Sequence, residues 1–227
     1  MVGYYAQGAI YARDYIISDI EADKLTHLMY AFYDTKFDET MGLSSIITLD
    51  KNADEDYTKD PGIDHNSAVK GNLGAIKLLK ERNPHLNVPI SLGGWTKSQA
   101  FPALSASVDG RKTLAQAMVD FIKKYPFIDG FDIDWEFPVE GGTDGTEVLN
   151  GNIIPAQPHT SDDHKNLVYL LKAMRQAFKT AFQNQLRNTF RISLSFPIQI
   201  QTKEEDQPQE ENSEIESKAV EITALQK

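Results

Sequence analysis

The segment FIDGFDIDWEFP, Phe127 to Pro138, sets four acidic residues among apolar and aromatic ones. Asp132, Asp134 and Glu136 recur at every second position. In an extended strand alternate side chains share a face, so these carboxylates fall on one side and Phe131, Ile133 and Trp135 on the other. Three chemistries compete for such a row. It can be the solvated face of an edge strand. It can hold a divalent cation such as Mg²⁺ or Ca²⁺, although no recognisable pattern nearby supplies the remaining oxygen ligands. Or it can do acid–base work. Same-face neighbours on a strand lie about 6.5–7 Å apart, and carboxylates that close, once buried, retain at least one proton near neutral pH. A carboxyl kept protonated is what a general acid for glycosidic cleavage requires.

The elements that must carry this row alternate along the chain. Strand signals fall at 2–6, 25–33, 88–94, 128–137 and 190–197, most of them apolar runs closed by Gly, Pro or polar residues. Runs of this kind suit strands covered on both faces, and a middle strand of a parallel sheet has no solvated face for the row to occupy. Amphipathic helices are predicted between the later strands. One follows Val69, Leu73, Ile76 and Leu79; another Leu114, Met118, Phe121, Ile122 and Tyr125. The last runs through Leu167, Leu170, Leu171, Met174, Phe178 and Phe182, with Ser161 as its expected N-cap. Strand–helix–strand repetition predicts an α/β fold with a parallel sheet of five readable strands. Two long polar connections, 50–72 and 141–163, leave the C-terminal ends of strands, where α/β enzymes gather their binding loops and where simple surface insertions are also tolerated.

Composition bounds the rest. The chain has 227 residues, 41% hydrophobic and 25% charged, enough apolar material for a core. A net charge of −10 argues against a nucleic-acid surface, but the charge is uneven. Lys203 to Glu216 holds seven acidic residues against one lysine, so most of the acidity belongs to that segment. No cysteine is present, which removes disulfides and thiolate metal sites. No apolar run reaches membrane-spanning length, and MVGYY opens directly on a strand-like stretch without the marks of a signal peptide. Beyond Pro197 no further strand–helix unit is readable. Thr202–Glu211 has a disordered composition, and Ser213 with Glu216 could cap a short terminal helix.

The stretch Asp129-Gly130-Phe131-Asp132-Ile133-Asp134-Trp135-Glu136 resembles the DGxDxDWE signature of family 18 glycoside hydrolases, the chitinases. SLGGWTKSQAF, Ser91 to Phe101, resembles the family's SxGG third-strand segment and the Trp after it. VGYYAQGAIYARDY with LTHLMYAFY resembles strands one and two of bacterial chitinases, and GNLGAIKLLKERNPHL their second helix. The resemblance covers roughly residues 2–197 in the family's order. It implies a (β/α)8 TIM barrel whose fourth strand carries the acids, and a substrate-assisted mechanism in which the sugar's own 2-acetamido carbonyl is the nucleophile. On that basis Glu136 would protonate the glycosidic oxygen. Asp134 would orient the acetamido group and exchange charge with Glu136, and Asp132 would tune Asp134. Ser91, Gly93 and Gly94 would shape the strand end beside Asp132, or simply end a strand. Trp95 would stack on a sugar face, or be ordinary core. Tyr4 and Phe32 would lie at the barrel mouth or floor, with packing the safer assignment, and Trp135 would face the helices. The implied partner is chitin or a chito-oligosaccharide; no metal or cofactor is implied, and oligomeric state is not readable. The family is usually secreted, in contrast to the missing signal.

The resemblance has gaps. The family's sixth-strand Met-x-Tyr-Asp motif has no counterpart, and its eighth-strand Trp is missing, since Trp95 and Trp135 are the only tryptophans. A full barrel takes about 250 residues. The expectation is therefore a barrel truncated after about five β/α units, with 1–199 as the catalytic region and 200–227 as an acidic, flexible tail. Such a barrel exposes strand edges and part of its inner face. Alternatives to hydrolysis are an inactive fragment or a glycan-binding protein, although lectin-like relatives usually lose the acid that Glu136 retains.

Overall fold

Apolar residues with β-branched and aromatic neighbours form the strands, as their preference for a pleated, covered surface dictates. In a computed structural model, which describes residues 1–149 and 151–183 together with the backbone of 191–194, β1 spans Val2–Ala6 and β2 spans His27–Asp38. β3 (Leu43–Thr48) is followed by α1 (Gly71–Arg82) and β4 (Pro89–Gly93). Then come α2 (Phe101–Ala106), α3 (Val108–Lys124) and β5 (Gly130–Asp134). A small hairpin of β6 (Val148–Leu149) and β7 (Asn152–Ile153) precedes α4 (Asp163–Phe182) and β8 (Arg191–Leu194). β1, β2, β4, β5 and β8 lie side by side in that order, every pair parallel. This is the α/β arrangement that the alternation of strand and helix signals predicts.

One face of the sheet is sealed by helices. Phe131 and Ile133 of β5, with Trp135 just beyond its end, are fully buried on the outer side of the sheet. Trp135 stacks on Phe101 of α2 with centroids 5.5 Å apart, while Phe131 meets Phe121 of α3 and Phe178 of α4. Leu73, Ile76 and Leu79 of α1, Leu114, Met118 and Ile122 of α3, and Leu170 and Met174 of α4 complete the same core.

The other face is concave. The Tyr4 hydroxyl on β1 donates to Asp132 Oδ2 on β5 at 3.3 Å, although β2 and β4 lie between them. In a flat sheet those strands would be about 14 Å apart, given a spacing of about 4.8 Å. Only a sheet that curls inward lets the two side chains meet.

Several boundaries differ from the sequence reading. The strand expected at 25–33 continues to Asp38 and reverses through Gly42, whose φ of 65° is left-handed, into antiparallel β3. The connection expected at 50–72 thus leaves β3. Its buried Asp54 accepts hydrogen bonds from Tyr30 and Thr48, and Asn72 Nδ2 donates to the Tyr30 hydroxyl at 2.9 Å. That buried carboxylate, satisfied by hydroxyl donors, pins the insertion beneath β2. The strand expected at 128–137 is shorter, ending at Asp134. The connection 141–163 carries the β6–β7 hairpin. Ser161 does not cap α4; Asp163 instead reaches back to accept from the Thr160 amide at 2.9 Å and the Thr160 hydroxyl at 2.7 Å. The acidic tail and the terminal helix from Ser213 lie outside the described residues.

Candidate active site

Register puts the carboxylates at the C-terminal end of the curled sheet. Ser91 of β4 pairs with Asp132, and Gly93 with Asp134. Asp132 is fully buried and accepts from Ser91 Oγ at 2.8 Å as well as from Tyr4. Two hydroxyl donors on one buried carboxyl group hold it in place. Asp134, 6% exposed, hydrogen-bonds Glu136 through the two carboxyl groups. Burial first, then the charges of Glu136 and Asp132, push the Asp134 pKa up to about 8. Burial also raises Glu136, and its bond with Asp134 opposes the rise. The two therefore share a proton at neutral pH, as like charges this close must.

Glu136 reaches this position from beyond the strand. β5 ends at Asp134, and the segment after it is held by Ser98. The buried Ser98 hydroxyl donates to the Asp134 carbonyl at 3.2 Å and accepts from the Glu136 amide at 3.0 Å. The Gly94 amide donates to the same Asp134 carbonyl at 2.7 Å. Gly93, at φ 105°, makes that approach possible: a Cβ there would stand 2.3 Å from Asp134 O. Gly94 likewise faces the Phe32 ring, 3.1 Å from where its Cβ would be. Ser91, Gly93 and Gly94 thus gather around the acids.

The aromatic residues separate by depth. Tyr4 is 52% exposed and its ring lies 6.5 Å from that of Phe32, so both line the concave face near Asp132. Trp95 is 39% exposed and is no part of the core. It follows Gly94 and meets Phe137, the neighbour of Glu136, edge-on at 6.2 Å. Its Nε1 donates to Glu147 Oε2 at 2.7 Å.

Sequence reasoning missed two residues here. Ser98 lies within the SLGGWTKSQAF segment, but a serine seven positions after Ser91 carries no periodic signal. Glu147 sits in a polar insertion where nothing marks it. Asp129, by contrast, belongs to the acidic signature and not to the site. At the opposite end of β5 it ion-pairs with Lys80 of α1 and accepts from the Val88 amide at 2.6 Å. Among the described residues no group of three or more His, Asp or Glu side chains is placed to hold a metal ion.

The arrangement offers a proton shared by two carboxyls on a concave wall, a buried carboxylate behind them and exposed aromatic rings beside them. The model of the glycosyl hydrolases family 18 matches residues 1–213. Chitinase ChiA of Flavobacterium johnsoniae is 49% identical over 194 residues, which are 83% of this chain and 12% of that protein. Chitinase A1 of Niallia circulans is 32% identical over 205 residues, 80% of this chain and 28% of that protein. Among solved structures, chitinase ChiA74 from Bacillus thuringiensis superposes with a TM-score of 0.69 at 29% identity, over 85% of this chain and 34% of that one. The chain thus spans 12% and 28% of the length of the two curated relatives. The fold is TIM-barrel-like.

Proposed function

The chain belongs to glycosyl hydrolases family 18, and on that premise we propose that it is the acid-bearing part of a chitinase, cleaving β-1,4-linked N-acetylglucosamine polymers. In this reading β1, β2, β4, β5 and β8 are the first five strands of a (β/α)8 barrel, residues 1–199 are catalytic and 200–227 form an acidic tail.

One observation carries the proposal: the buried Asp134 stands beside Glu136 at the end of a concave sheet, with Asp132 fixed behind it by Tyr4 and Ser91. A chitin chain laid along that face would present its glycosidic oxygen to Glu136. Glu136 gives up a proton as the C1–O bond breaks, and the 2-acetamido carbonyl oxygen of the same sugar closes on C1. Asp134 accepts the acetamido N–H, which holds that carbonyl in line, while the proton it shares with Glu136 moves to Glu136 for delivery to the leaving oxygen and leaves both carboxyls ionised. Asp132, held by Tyr4 and Ser91, stabilises the charge change behind them. Water then attacks C1 from the face the leaving group vacated, opposite the carbonyl oxygen, with Glu136 as base, so configuration is retained. Trp95, Tyr4 and Phe32 would pack against sugar faces, while Ser91, Gly93 and Gly94 keep the strand ends close. No metal or cofactor enters any of these steps.

The test is turnover of a fluorogenic chitotrioside by the full chain beside Glu136→Gln. The variant should lose activity by at least about a hundredfold, the contribution of one general acid, while still binding the sugar. Equal turnover by both proteins would refute the assignment. Binding without turnover in the unaltered chain would favour the glycan-binding alternative.

A further inference from the structure

We infer that Ser98 is a positioning residue for the acid pair: its hydroxyl fixes the spacing of Asp134 and Glu136 and thereby sets how the two carboxyls share their proton. The inference rests on the glycoside hydrolase reading above and adds to it a residue whose side chain is sealed from solvent.

Alternation alone does not keep Asp134 and Glu136 together, because the described ladders of β5 end at Asp134. The segment 94–101, which follows β4, grips the next residues one by one. The Gly94 amide and the Ser98 hydroxyl both donate to the Asp134 carbonyl, at 2.7 and 3.2 Å. Phe101 stacks on the Trp135 indole with centroids 5.5 Å apart and keeps it on the outer side. The Glu136 amide donates to Ser98 Oγ at 3.0 Å. One hydroxyl oxygen thus bonds the backbone of both members of the pair.

That hydroxyl is itself fixed. Ser98 is fully buried, and its Oγ also lies 3.0 Å from the Gly94 carbonyl. In the same turn the Lys97 amide donates to Gly94 O at 3.0 Å and the Phe101 amide to Ser98 O at 3.3 Å. The single hydroxyl proton serves the two carbonyls, which leaves a lone pair for the Glu136 amide, a double duty that only a hydroxyl of this size performs. On the other side of Glu136, Phe137 and Gly141 exchange two backbone bonds of 3.1 and 3.0 Å, and Gln157 Nε2 donates to Phe137 O at 3.3 Å. Glu136 is suspended between two anchors, and Ser98 is the one on the side of Asp134.

Spacing matters because of charge. Burial first, and then the charges of Glu136 and Asp132, raise the Asp134 pKa. Asp132 is held separately by Tyr4 and Ser91. The part due to Glu136 falls as the carboxyls move apart. A Glu136 amide without its acceptor turns toward another, the shared proton comes off at lower pH, and the acid loses its aim. A misplacement of about 1 Å costs about a hundredfold in rate.

Turnover of a fluorogenic chitotrioside is measured from pH 4 to 9 for the full chain and its variants, with the carboxyl groups titrated in parallel by carbon NMR. Ser98→Ala should lower kcat by about ten- to a hundredfold and leave KM within about twofold. The alkaline limb of its profile and the upper titration of the pair should both move to lower pH, by about one pH unit. Ser98→Cys fills the site with a weaker acceptor and should do the same, so the result does not hang on how well the Ala variant folds. Ser98→Thr keeps the hydroxyl and should recover most of kcat. Ser105 is the control: it too is fully buried, but its hydroxyl donates to Pro102 O at 3.2 Å within its own helix. Ser105→Ala should leave kcat and the pH profile unchanged. An unmoved alkaline limb and upper titration in Ser98→Ala and Ser98→Cys overturns the inference, and so does an equal loss in Ser105→Ala, which would make the effect one of stability. An unaltered chain that turns nothing over refutes the hydrolase reading instead, and the carboxyl titration still decides the part played by Ser98.

Discussion

A single residue concentrates the electrostatics of the site. Asp134 has an ordinary carboxylate pKa near 3.9 when unfolded and one near 8 in the fold. The folded state therefore holds a proton, between those limits, that the unfolded chain has released. Stability linked to Asp134 is fully present below about pH 4 and is lost as pH rises through about 8. Glu136, also raised by burial, pulls in the same direction. Asp134→Asn replaces the protonated acid with a neutral isostere. It should flatten this dependence and raise the melting temperature at pH 8 by several degrees over the unaltered chain, at about 2–4 °C per kcal/mol for a chain this size. Melting curves recorded from pH 4 to 9 decide it: parallel pH profiles for the two proteins would show that Asp134 is not the proton holder. The identity of these acids was legible in the sequence because nothing but alternation is needed to put Asp132 and Asp134 on one face. The position of Glu136 was not, since it lies past the strand and depends on the Ser98 hydroxyl, a contact between distant segments.

At the level of elements, the strands carrying both faces of the core were legible and the hairpins were not. β1, β2, β4 and β5 are marked by apolar runs that helices must cover. β3 alternates Ser44 and Ser45 with Leu43, Ile46 and Ile47, a pattern too irregular to read without its partner strand. β6 and β7 are only two residues each, with exposed apolar side chains, so no periodicity could reveal them. The close approach of β4 to β5 was foreseeable only in outline, from two adjacent glycines. Its physical reason is specific. At Gly93 a methyl group would stand 2.3 Å from Asp134 O and 2.7 Å from the Phe101 ring, on a backbone of φ 105°. Gly93→Ala should thus cost about 2–4 kcal/mol from strain and overpacking. Gly151 has a φ of 78° but nothing within 4 Å of the corresponding position, so Gly151→Ala should cost only about 1 kcal/mol. Urea denaturation of the pair separates crowding from backbone conformation. Equal losses would mean that the strand ends have room to part and that the glycine is there for its φ alone.

Across the whole molecule the decisive quantity is curvature. Among the described residues β1 pairs with β2 alone and β8 with β5 alone, so ladder hydrogen bonds do not by themselves fix how far the sheet curls. Tertiary contacts must do it. Helices on the outer face resist flattening, and Tyr4 draws β1 toward β5 across the concave face through its 3.3 Å bond to Asp132. That bond spans 128 positions of sequence, so closing it is costly in chain entropy and profitable only once β2 and β4 are paired between its ends. Tyr4 is half exposed, so its ring contributes less to the core than its hydroxyl does to shape. Tyr4→Phe keeps the ring and removes the donor. It should lower global stability by about 1 kcal/mol yet loosen β1 selectively. Amides of Val2–Ala6 should exchange faster in deuterium while those of β4 and β5 keep their protection, because a terminal strand can open without the centre of the sheet. Uniformly faster exchange would mean instead that Tyr4 supports the core, and unchanged exchange that the outer helices alone set the curl. The first outcome ties shape to chemistry: the hydroxyl that bends the wall is the one that holds Asp132 behind the proton-sharing pair.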